Sequence, residues 1–153
     1  MNEVAILWQN EMGLGQEQLI SLLQIFGDVF PNPLGKRIDL VGYTTKLLTH
    51  ADIACALIDG EIVGFLAIYA NDQTTRRAYI PIISIMPAVQ EHSLGKAMMS
   101  RALALARQKG MQTIDLKVQR ENKVAQHLYL SCGFRVDATE GDKVTMRCEL
   151  GVT

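Results

Sequence analysis

Residues 83–97 of the chain read Ile-Ser-Ile-Met-Pro-Ala-Val-Gln-Glu-His-Ser-Leu-Gly-Lys-Ala, and this stretch decides the fold. It joins an isoleucine-rich strand, predicted over residues 78–86, to a long helix predicted over residues 94–109. The first N–H groups of such a helix have no intrahelical acceptor, and the helix dipole adds positive potential beside them. The junction is therefore predicted to bind an anion, with Gly95 leaving room for a phosphate and Lys96 adding a positive charge.

Two other phosphate-binding motifs are absent from the sequence. The chain contains no Gly-x-Gly-x-x-Gly run, and residues 94–97, Leu-Gly-Lys-Ala, lack both the first glycine and the Ser/Thr of a P-loop. These absences argue against a dinucleotide-dependent oxidoreductase and against a nucleoside triphosphatase.

Length and composition predict a single domain over residues 1–153. Of the 153 residues, 48% are apolar and 20% are charged, so the chain can bury a substantial core. The formal net charge is −1 and the Lys and Arg residues are scattered, which argues against nucleic acid or an anionic membrane as a partner. An anionic ligand would then be held by local geometry rather than by a global field.

The cysteines and the N-terminus predict a soluble cytoplasmic protein. Cys55, Cys132 and Cys148 have no Cys-x-x-Cys spacing and no histidine at a metal-ligand spacing, so neither a disulfide framework nor a metal site is expected. Residues 1–10 include acidic Glu3 and lack the pattern of a signal peptide. The apolar runs stop well short of the roughly 20 residues that a membrane span needs.

Periodicity and turn residues predict an α/β (α+β) fold with a mixed, mostly antiparallel central sheet of about seven strands flanked by about four helices. The strongest hairpin signal is Asp59-Gly60, and Pro81 predicts a bulge or a locally unpaired edge within its strand. Strands are predicted over residues 4–8, 53–58, 61–69, 78–86, 113–118, 134–139 and 144–150, and helices over about 19–26, 40–48, 94–109 and 122–131.

At the strand–helix junction the chain resembles a known family. The pattern Ile85-x-Pro87-x-x-Gln90-x-x-Ser93-x-Gly95 resembles the acyl-CoA signature of the GNAT acetyltransferases, Arg/Gln-x-x-Gly-x-Gly/Ala. Gln90 matches the Arg/Gln position, and Gly95 matches the last Gly/Ala position. Ser93 departs from the usual glycine. Because serine restricts positive φ, this departure would weaken or reshape the binding of a pyrophosphate.

A second signature follows in the right order, one helix and one strand later. Residues 122–134 carry Asn-x-x-Ala-x-x-Leu-Tyr-x-x-x-Gly-Phe, which resembles the later motif of the same family. The resemblance covers about residues 52–136. Independently of it, Asn122 is a favoured helix N-cap, and Leu128 is a candidate core residue.

The resemblance implies a GNAT fold and an acetyl-CoA-dependent N-acetyltransferase that transfers acetyl directly to an amine, without a metal. The Ile85 N–H would polarise the thioester carbonyl. Tyr129 would give a proton to the departing thiolate, since phenol and thiol pKa values of about 10 and 8.5 are close enough for transfer. The residues implied in cofactor binding are Ile83, Ile85, Gln90, Glu91, His92, Ser93, Leu94, Gly95, Lys96, Ala97, Asn122, Ala125 and Tyr129.

The general base and the acceptor stay open. No carboxylate lies in residues 78–86, where some relatives place a base, so the candidates are Tyr43, Tyr79 and a water chain past Ser84. The acceptor is predicted to be a small amine, such as an amino sugar, an amino acid or a polyamine. Residues 30–50 would shape one wall of its site, and the other wall would come from Tyr69, Asp72 and Tyr79.

Two alternatives to this function remain. The acceptor could be a protein N-terminus or lysine, which a more open groove would favour. The chain could also be a non-catalytic acyl-CoA-binding module, which Ser93 and the missing base would favour. The last strand is apolar at Val144, Met146 and Cys148, so homodimerisation through its edge or face is open as well.

Overall fold

The computed structural model describes residues 4–27, 40–86 and 92–151, and these residues form seven strands and five helices. The strands are β1 (Val4–Trp8), β2 (Asp52–Ile58), β3 (Glu61–Tyr69), β4 (Arg77–Ile85), β5 (Thr113–Gln119), β6 (Phe134–Glu140) and β7 (Lys143–Glu149). The helices are α1 (Gln9–Met12), α2 (Gln16–Gly27), α3 (Leu40–His50), α4 (His92–Gln108) and α5 (Lys123–Ser131).

The strands form one seven-stranded sheet in the order β1-β2-β3-β4-β5-β7-β6. The pair β4–β5 is parallel, with register from Arg77↔Thr113 to Ile80↔Leu116. The pairs β1–β2, β5–β7 and β6–β7 are antiparallel. The predicted mixed, mostly antiparallel sheet is therefore confirmed. Asp59 and Gly60 both have positive φ, at 51° and 85°, as the predicted two-residue hairpin requires.

Internal contacts divide the chain into two compact units, and the first takes in the described residues of Met1–Ala67 and Ile82–Glu91. Its core holds the apolar face of α2, where Phe26 is fully buried and meets Phe65 edge-on at a ring-centroid distance of 5.2 Å. Polar contacts tie α2 to α3, because the Gln16 side-chain amide donates to Thr45 Oγ1 at 2.7 Å and to the Val41 carbonyl at 3.1 Å. The helical spacing that predicted α2 is confirmed by the burial of Leu19, Leu23 and Phe26 on its apolar face.

The second unit takes in Ile68–Pro81 and the described residues of His92–Thr153. Residues alternate in burial along β5 and β7, which places one apolar face toward the core. α4 also supplies core side chains, with Met98, Met99, Ala102 and Ala106 all fully buried. The predicted end of α4 is confirmed, because Gly110 has a φ of +80° and its N–H donates to the Arg107 carbonyl at 3.0 Å.

Three details differ from the prediction. The one-turn helix α1 was missed because four residues are too few for a periodic signal; its cues were Glu11, which accepts from the Trp8 N–H, and the left-handed Gly13. α4 begins at His92, two residues before the predicted start. The last strand, β7, lies between β5 and β6 rather than at an edge, and its apolar side chains are buried. The apolar residues of β7 therefore give no exposed edge or face for homodimerisation, and a homodimer through another surface stays a prediction.

Candidate active site

The end of β4 carries the backbone groups that the acyl-CoA resemblance singles out. Ile83 and Ile85 are half-buried and alternate with buried Ile82 and Ser84, so the two pairs lie on opposite faces of the strand. Just beyond the strand, the Met86 N–H donates to the Val63 carbonyl at 2.8 Å.

Pro81 lies in the middle of β4 and leaves the strand without a backbone donor at that position. The parallel register of β4 with β5 runs up to Ile80↔Leu116, directly before Pro81. Because proline has no N–H, it cannot donate to a ladder at that point. This is the place where the sequence predicted a bulge or an unpaired edge.

The first turn of α4 is the predicted anion site. Ser93, Lys96 and Ala97 are exposed there, whereas Leu94 and Gly95 are buried. Gln90 and Glu91 lie outside the described residues, and so does the side chain of His92.

Ser93 does not strain the backbone. It lies within α4, and among the residues that the structure describes, only Asp59 and Arg76 are non-glycine residues with positive φ. The positive φ from which a penalty for serine was argued is therefore not required here, because the residue has already entered the helix. The effect of Ser93 on pyrophosphate binding stays a prediction.

Asn122 is the N-cap of α5, as predicted. Its Oδ1 accepts a hydrogen bond from the Ala125 N–H at 3.1 Å, which satisfies one of the free donors at the start of the helix. Asn122 is exposed and Ala125 is half-buried. Leu128 is half-buried as well, so its assignment to the core is wrong; the residue that α5 buries is Tyr129.

Tyr129 is almost fully buried, with 6% of its surface exposed. Its ring lies against Phe134, with the two centroids 6.0 Å apart and the planes tilted by 57°. Burial, with a smaller contribution from nearby Cys132, raises the pKa of Tyr129 to about 12. The phenol therefore keeps its proton more firmly than the value of about 10 assumed from the sequence.

The charge of Lys96, in the first turn of α4, acts on Cys132, the C-cap residue of α5. Burial raises the pKa of the half-buried Cys132 thiol, while a hydrogen bond with Ser131 and the charge of Lys96 oppose that rise. Lys96 and Tyr129, which the sequence proposed for one cofactor, thus lie around the same thiol, because Cys132 also acts on the pKa of Tyr129.

The three residues proposed for one wall of the acceptor site differ in their burial. Tyr69 and Tyr79 are half-buried, and burial raises the pKa of each phenol. Asp72 is exposed, and its Oδ1 accepts from the Thr74 and Thr75 N–H groups at 3.0 and 3.1 Å, so its visible role is to shape a turn. Those bonds lower the pKa of Asp72.

Sequence reasoning missed an ion pair on the polar faces of β5 and β7. The Arg147 Nε and Nη2 atoms donate to the two carboxylate oxygens of Asp115 at 2.7 and 3.0 Å. The Arg147 Nη1 atom also lies 3.4 Å from Asp137 Oδ1. Tyr79 stands opposite Asp115 in the register, and the carboxylate adds to the rise in its phenol pKa. The alternation of polar residues along both strands was the available signal, but the pairing of β5 with β7 was not readable from it.

The described part of the chain contains neither a candidate metal-binding group nor a helix that could span a membrane. No three His, Cys, Asp or Glu side chains within it form a group that could hold a metal ion. None of the helices it contains is long and apolar enough to cross a bilayer.

Comparison with known proteins identifies the family. The model of the Acetyltransferase (GNAT) family matches residues 19–134, and this chain therefore belongs to that family. The chain is 32% identical over 76 residues to the mycothiol acetyltransferase of Beutenbergia cavernae, covering 50% of this chain and 25% of that protein. It is 30% identical over 93 residues to the spermidine N(1)-acetyltransferase of Thermoplasma acidophilum, covering 60% and 55%. The chain thus spans between a quarter and just over half of the length of these relatives.

The fold is shared with solved members of the family. An N-acetyltransferase from Thermoplasma acidophilum, solved in complex with coenzyme A, matches with a TM-score of 0.75 at 18% identity, covering 96% of this chain and 99% of that chain. The resemblance read from residues 83–97 and 122–134 is thereby confirmed at the level of family and fold.

Proposed function

We propose that this chain is an N-acetyltransferase that moves an acetyl group from acetyl-CoA to the amine of a small molecule. The observation that carries the proposal is Tyr129, a buried phenol that is protonated at neutral pH, on a helix that matches the second family signature. The spermidine and mycothiol acetyltransferases among the relatives favour a small-molecule acceptor over a protein.

The residues of the first turn of α4 fit a negatively charged cofactor. Helix α4 starts at His92, so its first N–H groups lack intrahelical acceptors, and the exposed Lys96 adds a positive charge beside them. Ser93 and Ala97 are small and exposed, which leaves this turn accessible. Acetyl-CoA would supply an acetyl group activated as a thioester, and these groups would hold its phosphates.

Two residues would act on the reacting atoms. The Ile85 N–H would donate to the thioester carbonyl oxygen and stabilise the negative charge that develops there. Tyr129 would hold a proton for the departing sulfur. A phenol with a pKa of about 12 is a weak acid for a thiolate near 8.5, and the gap would cost about 5 kcal/mol. Burial raises the pKa of the adjacent Cys132 thiol too, so a thiolate released in the same surroundings would be destabilised and the gap narrowed.

Substitution of Tyr129 by phenylalanine tests the proposal. The variant keeps the buried ring and loses the proton, so we expect kcat to fall by roughly 10²- to 10⁴-fold while the Kd for acetyl-CoA stays the same. Val124→Ala is the control, since it changes an exposed side chain on the same helix that has no proposed role in catalysis. An unchanged kcat in Tyr129→Phe would contradict the assigned acid.

The alternative of a non-catalytic acyl-CoA-binding module loses one of its two reasons, because Ser93 is accommodated within α4. The alternative of a protein acceptor depended on an open groove around residues 30–50 and 71–77, and residues 30–39 lie outside the described residues. Acetylation of spermidine, but not of a peptide lysine or N-terminus, would separate the proposed function from that alternative.

A further inference from the structure

Two buried polar side chains in the described residues differ in how their hydroxyls are satisfied. Thr44 is fully buried, and its Oγ1 donates to the Leu40 carbonyl at 2.8 Å, with the Val41 carbonyl at 3.1 Å. Ser84 has 6% of its surface exposed, and its Oγ has no hydrogen-bond partner among the described residues. A helix offers a nearby carbonyl to a threonine, whereas a serine in a strand has no such local acceptor.

A buried hydroxyl without a partner is unfavourable for folding. Leaving such a group unpaired costs about 1–3 kcal/mol of desolvation free energy. An apolar side chain at the same position would not incur this desolvation penalty. The alternating neighbours of Ser84 on its face of β4, Ile82 and Ile80, are apolar and buried. Stability therefore does not explain a serine at this position, and a ligand that completes its hydrogen bonds would.

The position of Ser84 in the chain indicates which ligand atom that is. Ser84 contributes the carbonyl half of the peptide bond whose nitrogen belongs to Ile85, so covalent geometry keeps its Oγ within about 4 Å of the Ile85 nitrogen. If the Ile85 N–H holds the thioester carbonyl oxygen, an amine poised about 3–3.5 Å from the carbonyl carbon comes within reach of Ser84.

We propose that the Ser84 hydroxyl accepts a hydrogen bond from the attacking amine and positions it for transfer. This inference rests on the proposed function, since it needs an acetyl donor held at Ile85. Ser84 is a positioning and specificity residue in this role, and it does not take the proton itself. The preferred acceptor is then a primary or secondary amine, because its neutral form has an N–H to donate to Ser84.

The test compares two variants that each remove a buried hydroxyl with no partner among the described residues. Ser84→Ala removes the proposed contact, and Thr113→Val is the matched control, because Thr113 Oγ1 is buried and unpartnered within the described residues as well. Neither variant should lower the melting temperature, since both remove an unpaired polar atom. Acetyl-CoA affinity, measured by isothermal titration, should match wild type in both.

Steady-state kinetics with spermidine as the probe should separate them. We expect Ser84→Ala to lower kcat/KM for the amine by about 3- to 10-fold, the equivalent of one net hydrogen bond, with Thr113→Val unchanged. Ser84→Thr keeps the hydroxyl and suits a strand, so it should recover part of the loss. Equal kinetics for Ser84→Ala and wild type would overturn the role of Ser84, and so would equal losses in both deletion variants.

Two further outcomes separate this inference from the proposed function. A Ser84→Ala protein that melts well below wild type and binds acetyl-CoA more weakly would assign the hydroxyl to the fold and overturn the positioning role. A wild-type protein that binds acetyl-CoA but releases no thiol with spermidine, amino sugars or amino acids would refute the proposed function, and the Ser84 role with it. If the wild-type protein releases thiol and Ser84→Ala has the same kinetics as wild type, the proposed function is supported and only the positioning role of Ser84 is refuted.

Discussion

At the scale of single residues, burial decides the chemistry of the candidate site. Tyr129 is an ordinary tyrosine in the sequence, but the structure encloses it and raises its pKa to about 12. The neutral phenol is the favoured form because an anion in this position would be poorly solvated. The proton is therefore present over the whole working range of pH.

The raised pKa of Tyr129 affects the pH dependence of the reaction. The amine must be neutral to attack, so kcat/KM should rise with pH up to the amine's own pKa. Tyr129 stays protonated below its raised pKa, so no fall in rate should occur near pH 10, where an ordinary tyrosine would lose its proton. A pH–rate profile measured to pH 10.5 checks this. A descending limb centred near pH 10 that disappears in Tyr129→Phe would contradict the raised pKa.

At the scale of elements, the capping of α5 links stability to the second family signature. Asn122 holds the Ala125 N–H at the start of the helix that carries Tyr129. Its cap role is visible in the structure, whereas its contact with acetyl-CoA remains a prediction. The two roles can be separated because they depend on different properties of the side chain.

Asn122→Ala should lower the free energy of unfolding by about 1 kcal/mol, because one N–H at the helix start loses its acceptor. Asn122→Ser retains a capping oxygen and should stay close to wild type in a denaturation experiment. A Kd for acetyl-CoA that rises in both variants would support the cofactor contact. Equal stability of Asn122→Ala and wild type would contradict the cap.

Local sequence patterns predicted most helices and strands, but they did not predict how strands distant in sequence pair with one another. The alternation in β5 and the positive-φ pair Asp59-Gly60 depend on neighbours in sequence, so they were readable. The internal position of β7 depends on its pairing with β5 and β6, which no local signal contains. Ser84 shows the same limit at the site, because the sequence reveals its alternation with isoleucine but not the missing partner of its hydroxyl.

At the scale of the whole molecule, the weak net charge restricts how an anionic cofactor can be held. The formal charge is −1, so long-range attraction contributes little, and the first turn of α4 with Lys96 must supply the local potential. This arrangement predicts a modest salt dependence that comes largely from one side chain.

Lys96→Gln should raise the Kd for acetyl-CoA several-fold at low ionic strength and flatten its dependence on salt, because the remaining N–H groups carry only partial charges. Lys143→Gln removes an equally exposed lysine that no predicted contact involves, and it serves as the control. Titrations at two salt concentrations check the prediction. Identical Kd values and salt slopes in Lys96→Gln and wild type would count against the proposed phosphate site.

We propose that this chain transfers acetyl groups to small amines, and thiol release from acetyl-CoA measures that transfer most directly. Purified protein would be incubated with acetyl-CoA and, separately, spermidine, amino sugars and amino acids, with the free thiol and the acetylated amine both quantified. We expect at least one amine to yield thiol and acetylated product in equal amounts. Binding of acetyl-CoA with no thiol release above the rate without protein, for every amine, would contradict it and leave a binding module instead.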